Sequence, residues 1–252
     1  MIAITREISA AIDRCELTHL DRVPIDVATA RAQHADYERC LAGLGCAIER
    51  LPASDTMPDS VFIEDTAIVL PELAVIARPG AASRRAETAA VAGALGRHRT
   101  LRFIEPPATL DGGDVLVAGR QVFAGASART SAAGIAQLRA ILEPYGYRVV
   151  TAPVTGCLHL KSAVTAIDER TLLMNRGWTD AAAFGGFDIV DVDPQEPFAA
   201  NALWLDGVVV HAAEFPCTRR RLEARGFTVR TVPASELAKA EGGVTCCSLI
   251  VR

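Results

Sequence analysis

Apolar and polar positions along this chain fall into short runs that recur in a fixed order. Residues 115–118 and 121–124 are two stretches with strand character joined at Gly119-Arg120. A segment with Ile135, Leu138, Ile141 and Leu142 at helical spacing follows, and then a third strand-like stretch at 147–150. The same order surrounds it on both sides. Residues 66–70 and 74–78 flank Pro71-Glu72-Leu73, with a helical segment from Ser83 to about Arg97 and a strand near 101–104. Residues 163–167 and 171–174 flank Asp168-Glu169, and a shorter irregular segment leads to a strand at 187–190. Residues 202–205 and 208–210 flank Asp206-Gly207, a strong hairpin signal, before a helix at 217–224 and a strand at 228–232. At the N-terminus a strand at 2–4 leads into a polar connection around Asp13 to His19, long enough for a lid or binding loop. An amphipathic helix from Val27 then carries Ala30, His34, Tyr37, Leu41 and Leu44, and Gly45 closes it.

The repeated unit is therefore strand, turn, strand, helix, strand. A polar motif stands immediately before the first strand of each unit, ending at Asp65, Asp114, His159, Asn201 and Cys246, with spacings of 42 to 49 residues. A period of that size predicts a repeat architecture whose equivalent strand ends meet around an axis. Four complete units, closed by a last strand at 247–251 paired with the N-terminal strand, predict an α/β fold of five blades in a pseudo-symmetric propeller. A doubly wound sheet is disfavoured, because each unit opens with a hairpin and so with antiparallel neighbours. No linker or low-complexity stretch divides the chain, which predicts one domain over residues 1–252.

Composition narrows the class. Half of the residues are hydrophobic, 22% are charged, and the formal net charge is −4, so no basic footprint for nucleic acid is present. No apolar run approaches the about 20 residues that span a bilayer, and the first residues lack the order of a secretory signal. The seven cysteines, at 15, 40, 46, 157, 217, 246 and 247, form no CxxC pair and no disulfide framework. These features predict a cytoplasmic protein without nucleic-acid or membrane partners; a monomer or a homodimer acting on a small molecule is compatible with them.

If the five motifs converge, their side chains define a site. Gly242-Gly243-Val244-Thr245-Cys246 presents a thiol after two glycines, His159 in Leu158-His159-Leu160-Lys161 supplies an acid or base, and Asp111 in Asp111-Gly112-Gly113-Asp114 can orient the imidazole. Each alone has a plainer reading, as core cysteine, core histidine and turn. Their shared place in the repeat favours chemistry. The first motif packs Asp59, Glu64 and Asp65 with Phe62 into eight residues, a cluster suited to an organic cation covered by an aromatic ring. A hard metal ion is the competing reading, disfavoured because no second acidic motif of the right type follows. Arg84 and Arg129 lie where helices of successive repeats open and suit an anion. Together these groups describe a pocket for an amino acid that bears a guanidinium, with no cofactor and no metal. A binding protein holding zinc on Cys246, Cys247 and His159 is the rival of another class, with awkward geometry for adjacent cysteines.

These residues resemble the guanidine-modifying, or pentein, superfamily of arginine deiminases and amidinotransferases, and within it the dimethylarginine dimethylaminohydrolase family. The resemblance runs over nearly the whole chain, through Pro58-Asp59-Ser60-Val61-Phe62-Ile63-Glu64-Asp65, Arg78-Pro79-Gly80, Ser83-Arg84-Arg85, Leu110-Asp111-Gly112-Gly113-Asp114, Ser127-Ala128-Arg129-Thr130, Leu158-His159-Leu160-Lys161-Ser162, Ala199-Ala200-Asn201 and Gly242 to Ser248. It implies a five-bladed propeller with Cys246 as nucleophile, His159 as acid and base, and Asp111 as the third triad member. It further implies that Asp59, Glu64 and Asp65 serve the guanidinium, that Arg84 and Arg129 hold the α-carboxylate, that Leu17 is the lid leucine, and that the Ala240 carbonyl touches substrate. The implied reaction converts an Nω-methylated arginine to citrulline, with arginine or another ω-substituted arginine as the alternative substrate. Arginine deiminases and amidinotransferases typically read His-x-Asp at the third motif, where this chain has His159-Leu160-Lys161. That exchange removes an anion which a methylated nitrogen could not satisfy, and so favours the methylated substrate.

Overall fold

The computed structural model describes residues 1–252 and gathers their strands into five separate three-stranded sheets. In chain order the first unit contributes β1 (Ile2–Arg6), α1 (Val27–Gly43) and β2 (Ala47–Leu51). The second contributes β3 (Ala67–Val69), β4 (Leu73–Ile76), α2 (Thr88–Leu95) and β5 (Thr100–Phe103). The third contributes β6 (Val115–Ala118), β7 (Gln121–Ala126), α3 (Ala132–Leu142) and β8 (Arg148–Pro153). A short α4 (Leu160–Ala163) opens the fourth, followed by β9 (Val164–Ala166), β10 (Thr171–Met174) and β11 (Asp188–Asp191). The fifth contributes β12 (Ala202–Leu205), β13 (Val208–Ala212), α5 (Pro216–Ala224) and β14 (Thr228–Val232). After a short α6 (Ser235–Ala238), β15 (Leu249–Val251) returns to the first sheet.

One pairing scheme repeats. The first strand of each sheet is antiparallel to the middle strand, which is parallel to the outer one. In the later four units a short turn enforces the first relation and a crossover segment the second. At Asp206-Gly207 both residues have positive φ, 44° and 84°, the mirror-image turn whose twist suits a two-residue hairpin. In the first sheet the place of the first strand is taken by β15, whose Val251 lies opposite Ile2, as the sequence predicted.

The core explains why the middle strands are apolar at nearly every position. Buried side chains form five clusters, each at the junction of two neighbouring units. Successive residues of a strand point to opposite faces, and each middle strand feeds two junctions in turn. In β4, Leu73 and Val75 pack with the third unit while Ala74 and Ile76 pack with the first. In β10, Leu172 and Met174 join the third unit and Leu173 joins the fifth. In β1, Ala3 faces the fifth unit and Ile4 the second. Five junctions for five units close the ring, and residues of β3, β6, β9, β12 and β15 surround one central cavity of about 740 Å³.

Several elements differ from the sequence expectation: α4 and α6 were not anticipated, and the helix expected from Ser83 begins as a 3₁₀ segment, Ala82–Glu87, ahead of α2. β2 was not anticipated, because Ala47-Ile48-Glu49-Arg50-Leu51 is a half-exposed outer strand without a continuous apolar run. The expected strand at 247–251 begins only at Leu249, since Thr245–Cys247 form a single 3₁₀ turn. That turn is itself part of the repeat, for Ile63–Thr66 and Gly112–Asp114 form equivalent turns ahead of β3 and β6. No helix is long and apolar enough to cross a membrane.

Candidate active site

The turns that precede the first strands bring the polar motifs together at one rim of the ring. Asp111, fully buried, places Oδ2 2.9 Å from His159 Nε2, and its Oδ1 accepts the Gly80 N–H at 2.8 Å, so both carboxylate oxygens are fixed. The imidazole stacks against Gly113, where a Cβ would stand 2.7 Å from His159 Nδ1 and 2.5 Å from Asp65 Oδ1, closer than any side chain tolerates. Asp65 Oδ1 accepts the Gly113 N–H at 3.1 Å and lies 3.6 Å from His159 Nδ1, leaving the ring between two carboxylates. Burial alone would push the His159 pKa down, but Asp65 and the Asp111 hydrogen bond outweigh it and raise it to about 9. His159 is an imidazolium at neutral pH.

Cys246 lies half-buried on the wall of the same pocket, in the turn before β15. Its Sγ accepts the Gly243 N–H at 3.3 Å. Burial, and then the carboxylates of Glu64 and Asp65, push the thiol up to about 12, so it carries its proton until a cation offsets those charges. The glycines ahead of it permit close approach on both sides. A Cβ at Gly242 would fall 2.2 Å from Phe62 Cε1, and one at Gly243 would fall 2.5 Å from Asn201 Oδ1.

Asp59, Phe62, Asp65, Arg84, Arg129, His159, Ala240 and Cys246, all predicted from sequence, line this one pocket, with Asp111 directly behind His159. Burial works against the ionisation of Asp65, yet the His159 and Arg84 cations hold its carboxyl below the ordinary value. Burial raises Asp59, and Arg84 only partly offsets this. Arg84 is buried with every guanidinium nitrogen bonded inside the protein, to Asp65, Glu87 and the carbonyls of Asp59 and Phe62. In this structure it acts as counter-ion to carboxylates and presents no free fork to an anion. Arg129 is half-buried and makes one side-chain bond, to Thr18 Oγ1 at 3.3 Å.

Glu64 and Leu17, both expected at the site, do not line the pocket in this structure. The Glu64 carboxylate does not reach the pocket. It binds Lys161 Nζ at 2.6 Å and Thr245 Oγ1 at 2.7 Å and lines the central cavity instead. In the 3₁₀ turn Ile63–Thr66 successive side chains diverge by roughly 120°, so neighbouring Glu64 and Asp65 serve opposite sides. Leu17 is half-buried against the apolar cluster of the first and fifth units and does not line the pocket wall. The alternative zinc trio is not assembled, because Cys247 is buried in that cluster and its S–H donates to the Gly243 carbonyl. Asp65, Asp111 and His159 do gather within 4.8 Å, an arrangement accounted for by the charged imidazole between carboxylates.

Sequence reasoning missed the fastening of the pocket mouth. The backbone N–H groups of Thr18, His19 and Leu20 all converge on the carboxylate of Glu241, whose own φ is +59°. The Glu16 N–H donates to Asp59 at 3.0 Å. Residues 16–20 thus roof the pocket, and its free volume of about 20 Å³ has room for about one water. A glutamate beside two glycines carries no sequence signal for such a clasp.

A family model described as arginine deiminase matches residues 52–197. An N(G),N(G)-dimethylarginine dimethylaminohydrolase from Streptomyces coelicolor is 40% identical over 252 residues, covering 99% of this chain and 96% of that protein. The structure of a cysteine-to-serine variant of the Pseudomonas aeruginosa dimethylarginine dimethylaminohydrolase, complexed with citrulline, superposes with a TM-score of 0.93 at 33% identity, covering 98% of this chain and 97% of that one. A variant of such an enzyme bearing an adduct with S-methyl-L-thiocitrulline superposes at 0.92 and 33% identity, over 98% of each chain. The ring of five αβ units and its site thus define a pentein of the arginine deiminase class. Within that class, this chain belongs to the dimethylarginine dimethylaminohydrolase family.

Proposed function

We propose that this protein hydrolyses an Nω-methylated arginine to citrulline and a methylamine, with Cys246 as nucleophile, His159 as general acid and base, and Asp111 holding the imidazole. The observation that carries this reading is a thiol facing carboxylates in one pocket, with a charged histidine held by a buried aspartate. The relatives' complexes with citrulline and with a thiocitrulline adduct support it.

The electrostatics dictate the order of events. The thiol of Cys246 keeps its proton because burial, and then the charges of Glu64 and Asp65, disfavour a thiolate. A guanidinium bound against Asp59 and Asp65 supplies the missing positive charge, so the thiol ionises as substrate arrives and one proton leaves to solvent. The thiolate sulfur attacks the guanidinium carbon, forming a C–S bond. The bond from that carbon to the methylated nitrogen breaks as His159 donates its proton, and the methylamine departs, leaving a thiouronium on Cys246. Neutral His159 then takes a proton from water as its oxygen adds to the same carbon, and the C–S bond breaks while the new hydroxyl loses its proton to solvent, returning the thiolate and releasing citrulline with its C=O bond. Phe62 and the carboxylates fix the cation over the sulfur, which supplies the orientation that the step needs.

The third motif bears on the substrate. Lys161 pairs with Glu64 on the cavity side, so this motif brings no carboxylate to the pocket beside His159. A nitrogen carrying methyl groups therefore meets no buried anion left without its hydrogen bond. We place the reaction in the reducing cytoplasm, consistent with seven free cysteines. Citrulline release from asymmetric dimethylarginine, monomethylarginine and arginine, compared on one preparation, tests the reading. Turnover of the methylated substrates should exceed that of arginine by at least about tenfold, the scale of one lost polar contact. Preference for arginine would shift the assignment to an arginine deiminase-like hydrolase.

A further inference from the structure

Asn201 ends the fourth polar motif, yet it does not line the pocket and the mechanism above gives it no task. Its side chain is nearly buried and fully engaged. Oδ1 accepts the backbone N–H of Thr245 at 2.9 Å, and Nδ2 donates to Thr245 Oγ1 at 2.9 Å and to the Lys161 carbonyl at 3.2 Å. Thr245 Oγ1 in turn donates to Glu64, and Glu64 binds the Lys161 ammonium. This closes a ring of polar contacts through the first, third, fourth and fifth motifs, all fastened to the residue before the nucleophile. The same Nδ2 stands 4.0 Å from Cys246 Sγ, beside the Gly243 N–H that already donates to the sulfur at 3.3 Å. Gly243 has no Cβ at the point where one would strike Asn201, so the approach of amide and turn is built into the sequence.

We propose that Asn201 is a positioning residue for the Cys246 sulfur, fixing the turn that carries the thiol and holding the positive end of its amide dipole 4.0 Å from the sulfur, where negative charge forms. The inference rests on the reading of Cys246 as nucleophile. A preset donor aimed at developing charge costs no reorganisation in the reaction. It matters here because the surrounding carboxylates oppose the thiolate, and Gly243 and Asn201 are the neutral dipoles placed to counter them. A mere brace between loops would make the opposite prediction. Loosening the turn would admit water to the thiol, relieve the burial that raises its pKa, and speed its reaction with an alkylating agent.

The test is the rate at which iodoacetamide alkylates the Cys246-containing peptide, followed by mass spectrometry from about pH 6 to about pH 9 in the full-length protein, with Asn201→Ala against wild type. Loss of the amide dipole and of its hold on the turn should displace the log-rate line by about one pH unit, which is about 10-fold slower at any one pH. Turnover should fall mainly in kcat, with KM within about threefold, because Asn201 does not line the pocket. Alkylation as fast as wild type, or faster, overturns the proposal. Should Asn201→Ala not fold, Asn201→Ser carries the same test, since it removes the amide dipole without adding a charge beside the sulfur. A rate within about twofold of wild type then overturns it. A Cys246→Ser control assigns the alkylated thiol. If that variant still turns over substrate, the nucleophile reading fails, while the alkylation comparison continues to report on Asn201 alone.

Discussion

His159 is held as an imidazolium between Asp65 and Asp111, and its pKa of about 9 governs how the protein responds to pH. The folded value lies above the ordinary 6.5. The stabilisation from its carboxylate partners is therefore fully present below about pH 6.5 and is lost as pH rises through about 9. Activity should fall on the alkaline side near that value as the acid loses its proton. Asp111→Asn removes a hydrogen-bonded anion, so the alkaline limb of kcat/KM should move to lower pH and kcat should drop by about 10² to 10⁴. A pH–rate profile of the variant checks both, and an unmoved limb would exclude Asp111 as the partner that sets the imidazole. The side chains of this scale were the most legible in sequence, because Cys246, His159 and Asp111 each sit beside glycines or in a polar motif that breaks the apolar pattern. Glu64 and Asp65 were not separable, since their divergence depends on a 3₁₀ turn that two adjacent acids do not announce.

At the scale of elements, the roof over the pocket is the part that the sequence concealed. Residues 16–20 make no regular structure, and their hydrogen bonds run to Glu241 and Asp59, far away in the chain. Successive backbone N–H groups converging on one carboxylate form a nest, a geometry that takes anions from any source. Replacing Glu241 by Gln keeps the shape and removes the charge. Amide exchange at Thr18, His19 and Leu20, read by hydrogen-exchange mass spectrometry, should then accelerate by about 10- to 100-fold, the value of hydrogen bonds to a charged partner. Exchange unchanged from wild type would show that the clasp does not hold the roof. The connection expected to be a lid or binding loop is fastened to Glu241 and Asp59, and its Leu17 packs against the apolar cluster beside it. β2 escaped for the converse reason, its outer-edge position allowing Glu49 and Arg50 to pair with residues of neighbouring segments.

For the whole molecule, the ring is what converts five unremarkable motifs into one site. Middle strands that alternate between two junctions need apolar residues on both faces, and that demand wrote the short apolar runs from which the repeat could be read. The closure of β15 on β1 answers the same demand, since it seats Leu249 and Val251 in the apolar cluster that Ile4 shares with the second unit. The Glu64–Lys161 pair lines the central cavity while Asp65, His159 and Cys246 line the pocket, a division that arises only once the units are assembled. The central claim is that this assembly makes Cys246 a nucleophile towards a guanidinium carbon. It is tested most directly by acid quenching during turnover of asymmetric dimethylarginine, followed by mass spectrometry of the Cys246 peptide. A covalent adduct on Cys246 should appear before citrulline and be absent, together with turnover, from Cys246→Ser. Citrulline formed at an undiminished rate by Cys246→Ser, or an adduct that maps to another residue, would contradict it.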